Sequence, residues 1–217
     1  SSNYKKKGIN LIEPKVESKI LTIYVNGICS TVEMAMYQRG WLERLLKTPI
    51  TLAYNYTDGF ILDIYECMQD RTYNDVGATV ASQNLTDYLE KNINNYKKIN
   101  VIGFSQGSLI TGRALEVLSK KLEKKDLKKI NYTTFANPIK NLELPNEIRV
   151  EHFINGEDPV ANIGVISHKN EIKGKKYYQQ KGGHMLIADY IIPLCFNYFD
   201  KGSHFYKELN KLEIEKI

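Results

Sequence analysis

The hydrophobic pattern of this chain changes period repeatedly along its length. ILTIYV at 20–25 is an apolar run rich in β-branched residues that stops at Asn-Gly, as a strand buried on both faces does. STVEMAMYQRGWLERLLKT at 30–48 then spaces its apolar residues as a helix, with Ser30 or Thr31 placed to cap it and Glu33 in the first turn. ITLAYNY at 50–56 reads as a second strand, followed by an irregular stretch over 57–78 and a helical pattern over 79–97. INVIGF at 99–104 is the third strand, and the helix that follows it begins at SQGSL. KINYTTFANP at 129–138 and EIRVEHFIN at 147–155 supply two more strands. MLIADYIIPLCFNYF at 185–199 and SHFYKELNKLEI at 203–214 read as the last helices, the first kinked or broken near Pro193.

Alternating strands and helices predict an α/β fold, a three-layer α/β/α sandwich around a mainly parallel sheet with right-handed crossovers. The 217 residues suit one domain, with a polar leader to about Ser18 ahead of the first strand. In such a sheet the chemistry is expected at the C-terminal ends of the strands.

Composition changes this picture little. Apolar residues at 42% and charged residues at 25% are values of a chain that folds without a partner. The net charge of +5 has its excess in solvated stretches such as KKLEKKDLKK at 120–129, and no nucleic-acid-binding motif accompanies it. Cys29, Cys67 and Cys195 have neither the number of a disulfide framework nor the spacing of a metal site, so buried thiols are expected. The apolar stretch around YIIPLCFNYF is well short of the roughly 20 residues that span a bilayer, and no transmembrane helix is expected. The sequence begins SSNYKKKGIN rather than with Met and leaves localisation open, as it does the oligomeric state.

The candidate chemistry centres on VIGFSQGSLI at 101–110. Serine is a poor nucleophile unless a base, a group orienting that base and donors for the oxyanion converge on it. A sharp bend from strand into helix would expose Ser105 while bringing the two backbones close together. Gly103 and Gly107 remove the Cβ atoms that would collide there, and small residues recur at Ser108, Gly112 and Ala114 on the helix. A glycine-rich structural corner is the alternative reading.

With this motif in that context, residues 20–200 resemble the α/β-hydrolase superfamily in its small lipase, esterase and cutinase-like range. The resemblance implies a Ser, Asp or Glu, His order along the chain. The acid would be Asp158 in INGEDPVANIG, where Pro159 holds its predecessor extended; Glu157 is the rival. The base would be His184 in KGGHML, after the turn-forming Gly182 and Gly183, with His204 as fallback; His152 falls within a strand and His168 in a lysine-rich loop. The oxyanion hole would use the amide of Gln106 and that of Ile28 or Cys29, after Asn26-Gly27, where relatives commonly carry His-Gly.

The activity so implied is hydrolysis of a lipid or acyl ester through an acyl-enzyme, with no metal and no organic cofactor. Thioesterase, acyltransferase or peptidase activity on the same residues, or a catalytically silent binding protein, are the alternatives. Stretches 57–78, with Phe60, Ile61 and Tyr65, and 161–183, with Tyr177 and Tyr178, would wall a pocket open to solvent and suited to short or medium acyl groups.

Overall fold

Period-two alternation sorts the strand side chains onto two buried faces. In β2 (Ile20–Val25), Leu21, Ile23 and Val25 join one apolar cluster and Tyr24 the other. In β4 (Lys98–Phe104), Ile99 and Val101 face the first cluster, Ile102 and Phe104 the second. A strand buried on both faces needs helices on both, and the chain supplies them. The structure, a computed structural model, describes residues 8–28, 30–56, 79–196, 198–199 and 202–209.

Its sheet has seven strands in the order β1-β3-β2-β4-β5-β6-β7. The remaining strands are β1 (Ile9–Ile12), β3 (Thr51–Asn55), β5 (Ile130–Phe135), β6 (Arg149–Asn155) and β7 (Lys175–Gln179). β1 runs antiparallel to β3, and the other pairs are parallel. Helices α2 (Thr79–Asn92) and α3 (Gln106–Lys121) bring Leu85, Leu89, Leu109, Ile110 and Leu115 to one face. Helix α1 (Val32–Leu46) and the C-terminal segments bring Leu42, Leu45, Tyr190, Leu194 and Phe205 to the other. The result is the three-layer α/β/α architecture with a mainly parallel sheet.

Local signals place the element ends. Thr31 rather than Ser30 caps α1, its side chain accepting from the Met34 amide. The helix closes at Lys47, which takes a left-handed backbone. The pattern read as helical over 79–97 holds to Asn92 and tightens into a 3₁₀ turn at Ile93–Asn95.

Four sequence expectations are corrected. The supposed polar leader contributes β1, an edge strand whose two middle residues are exposed, so it carries no continuous apolar run. The stretch 161–183, expected to wall a pocket, contains β7, and Tyr177 stacks on Phe153 in the core with ring centroids 5.4 Å apart rather than walling a pocket at Ser105. The helix expected over 185–199 is a π-helical turn at Leu186–Ile191 running into Ile192–Cys195. Pro193 sits in the first turn of that last piece, where a missing N–H costs nothing. The helix expected over 203–214 spans His204–Glu208 and ends at an extended Leu209.

Cys29, Cys67, Phe60, Ile61 and Tyr65 lie outside the described residues. Cys195 is a free thiol that burial pushes up to about 11. No helix among the described residues is long and apolar enough to cross a membrane.

Candidate active site

β4 ends at Phe104, and the chain turns directly into α3 through Ser105, whose φ of 54° and ψ of −126° lie outside the regions open to most residues. The turn brings two backbones into contact. A Cβ on Gly103 would stand 2.7 Å from Ser108 Cα, and one on Gly107 would stand 2.1 Å from the Val25 carbonyl oxygen. Hydrogen bonds hold the bend: the Ser105 amide donates to the Phe135 carbonyl at 2.9 Å, and the Ser108 amide to the Ser105 carbonyl at 2.8 Å.

Ser105 Oγ lies 2.9 Å from Nε2 of His184. On the far side of the ring, His184 Nδ1 is 2.9 Å from Asp158 Oδ2 and 3.0 Å from Oδ1. Seventy-nine residues separate the serine from the histidine in sequence, and the sheet closes that gap. Asp158 is fully buried, whereas the His184 side chain keeps 23% exposure, which leaves the imidazole within reach of solvent. Phe104 stacks on the imidazole with centroids 5.0 Å apart and fixes the plane of the ring.

Asp158 follows β6 in extended conformation, consistent with Pro159 behind it, and caps the helical turn Pro159–Ala161. Its Oδ1 accepts from the amides of Val160 at 2.9 Å and Ala161 at 3.4 Å. Glu157, the rival acid, points into solvent.

The loop after β2 approaches the serine closely. A Cβ on Gly27 would lie 2.9 Å from that of Ser105, which puts Ile28 beside the serine turn. Asn26 acts through its side chain. Its Oδ1 accepts from the Asn55 amide at 2.8 Å and its Nδ2 donates to the Asn55 carbonyl at 3.0 Å, clamping the ends of β2 and β3 together. Ile28 also packs with Val160 and Ile163 in a small apolar cluster of its own.

The other histidines stand elsewhere. His152 is fully buried in β6, bonded to Thr134 Oγ1 at 2.6 Å and the Lys173 carbonyl at 2.8 Å, and burial pushes it down to about 4. His168 faces the carbonyls of Ile163 and Gly164. His204 sits at the opposite end of β6, its amide donating to Glu151 at 2.8 Å, beside a groove of about 630 Å³ lined by Arg149, Lys173 and Lys207. Desolvation pushes the Glu151 carboxyl up, against the pull of the amides of His204 and Phe205.

Sequence reasoning missed three residues of this site. Tyr190 donates to Asp158 Oδ2 at 2.6 Å. Asn155 Nδ2 donates to the carbonyls of Gly183 and Asp189 at 3.0 and 2.8 Å and so hangs the His184 loop from the end of β6. Asn55 donates to Gln106 Oε1. Tyr190 and Asn155 carry no local motif; Asn55, closing a strand, could have been found as a polar residue at the expected end of the sheet.

Residues 15–148 match the protein family described as "Putative serine esterase (DUF676)". The match includes Ser105 and stops before Asp158 and His184. No curated protein matches the chain in sequence. Among solved structures, an esterase from Pyrobaculum calidifontis is similar over 82% of this chain and 76% of its own, at 10% identity and a TM-score of 0.52. A "putative thioesterase" from Silicibacter sp. TM1040 is similar over 93% of this chain and 79% of its own, at 13% identity and a TM-score of 0.50. At these identities the likeness is one of fold.

Proposed function

The chain belongs to the DUF676 serine esterase family, as an α/β-hydrolase serine hydrolase, and on that premise we propose that it cleaves carboxylic esters through an acyl-enzyme on Ser105. The observation that carries this reading is the 2.9 Å separation of Ser105 Oγ from His184 Nε2, with Asp158 on the opposite nitrogen.

Ser105 Oγ attacks the ester carbonyl carbon as its proton passes to His184 Nε2. Asp158 stabilises the imidazolium without taking the proton. The carbonyl electron pair moves onto oxygen, to which the amide of Gln106 and that of Ile28 or Cys29 would donate hydrogen bonds. Collapse breaks the bond to the alcohol oxygen, which leaves with the proton from His184. Water, deprotonated by the same ring, then releases the acid and restores Ser105.

The cluster of Ile28, Val160 and Ile163 supports an apolar acyl group of short or medium length. Hydrolysis of p-nitrophenyl esters of graded chain length, together with fluorophosphonate labelling, tests the reading. Ser105→Ala should abolish labelling and lower turnover by several orders of magnitude while the fold persists. Turnover near wild type in that variant overturns it.

A further inference from the structure

Resting on the reading just given, we propose that Tyr190 is a positioning residue that sets the charge and orientation of Asp158, and through it the basicity of His184. The phenol donates to Asp158 Oδ2 at 2.6 Å, the same oxygen that faces His184 Nδ1 at 2.9 Å. Two donors therefore share one carboxylate oxygen in a site from which Asp158 sees no solvent. A hydrogen bond to an ionised acceptor in such a place is among the strong ones.

Tyr190 is itself held on every side. Its ring lies edge-on to Phe135 at 5.9 Å and stacks with Phe199 at 6.3 Å, and its oxygen accepts from the Asn155 amide at 3.3 Å. With the Asn155 N–H filling an acceptor position, the hydroxyl proton is directed at Asp158. Burial, followed by the charge of Asp158, holds the phenol well above the usual tyrosine range, so it stays a donor at every working pH. Asp189 is the other charged group felt at Tyr190, and its Oδ2 is engaged by the Met185 amide at 2.8 Å. Base and phenol also share one short segment: six residues after His184 the chain returns to the same carboxylate, with Asn155 tying the carbonyl that precedes each of them.

Two consequences follow from sharing that oxygen. A carboxylate that gives part of its charge to the phenol offers less to the imidazolium, so loss of the phenol should stabilise the protonated ring. A carboxylate freed on one side can also rotate about Cβ–Cγ, and the ring then loses its aim at Ser105 Oγ.

The test is Tyr190→Phe, which removes one oxygen and keeps the ring. The rates to follow are p-nitrophenyl butyrate hydrolysis and inactivation by a fluorophosphonate, both across pH. The acid limb of kcat/KM should move to higher pH, and kcat should fall about tenfold with KM unchanged. In an Asp158→Asn background the same substitution should change neither rate, because the phenol acts through the carboxylate. An acid limb that stays in place, or an equal loss in the Asp158→Asn background, overturns the proposal. Should Tyr190→Phe not fold, 3-fluorotyrosine at position 190, a stronger donor of nearly the same shape, should move the acid limb to lower pH; a stationary limb again overturns it. Ser105→Ala run alongside separates the two readings, since turnover surviving there removes the nucleophile assignment rather than the role of Tyr190.

Discussion

Asn55 Nδ2 donates to Gln106 Oε1 across 2.7 Å, joining the end of β3 to the first residue of α3 with both side chains buried. Asn26 in turn clamps the Asn55 backbone from the end of β2. Three side-chain amides thus tie together the two segments that would supply oxyanion donors. The Gln106 side-chain oxygen is occupied by this contact.

Asn55→Ala should therefore loosen the site and the fold together. It leaves Gln106 Oε1 buried without its donor, at a cost of about 1 to 3 kcal/mol, so the melting temperature should drop by several degrees. The reading is that kcat falls while KM stays near wild type. A melting shift with unchanged kcat would confine Asn55 to stability.

Gly27→Ala probes the same region sterically. The added methyl would meet the Ser105 Cβ at 2.9 Å and the Phe104 carbonyl oxygen at 3.2 Å, and the loop bearing Ile28 has to move outward. Displacement by about 1 Å at a reacting centre costs on the order of a hundredfold in rate. Turnover should fall by about that factor, with thermal unfolding and circular dichroism close to wild type.

Substitution of the histidines separates position from residue type. His184→Ala should lower turnover about as far as Ser105→Ala, because interdependent groups lose their effect together. His204→Ala should leave ester hydrolysis intact, since that ring stands at the opposite end of β6 beside Glu151. Comparison of kcat for the two variants is sufficient; the reverse order would move the base.

His152 makes stability depend on pH. Its folded-state value is pushed from the ordinary 6.5 down to about 4 by burial, so between those limits the unfolded chain binds the proton that the native state refuses. The contribution is fully present above pH 6.5 and is lost as pH falls toward about 4. It amounts to about 3 kcal/mol at 1.36 kcal/mol per unit. Glu151, pushed up by its own burial, works in the opposite direction at acid pH. Urea unfolding of wild type and His152→Gln at pH 7 and pH 4.5 isolates the histidine: the wild type should lose more stability on acidification than the variant does.

The parts of this protein legible in its sequence are those that local physics dictates. The apolar run Ile20–Val25 ends as a strand where it was read to end, and Gly103 and Gly107 stand where two backbones leave no room for a side chain. Asp158 and His184, which the resemblance to the α/β-hydrolases implied, stand in line with Ser105, the acid on one ring nitrogen of His184 and the serine on the other. The edge strands were hidden because they lack a two-sided apolar pattern: β1 exposes its middle residues and β7 carries Lys175 and Lys176. Tyr190 and Asn155 were hidden for a different reason. Nothing near them in sequence marks a tyrosine in an apolar run or an asparagine at a strand end as a partner of a carboxylate, and only the packing of β6 against the segment after His184 creates that role.

The suspension of the His184 loop from Asn155 and Gln179, at the ends of β6 and β7, bears on the order in which activity is lost. The serine turn belongs to the middle of the sheet, between β2 and β5, where opening requires most of the molecule to come apart. The histidine loop hangs from β6 and from the edge strand β7, whose release requires far less. In rising denaturant the enzyme should fall silent while its central strands are still intact, and on refolding it should regain activity only when β7 docks, so that catalysis reports the margin of the molecule rather than its centre.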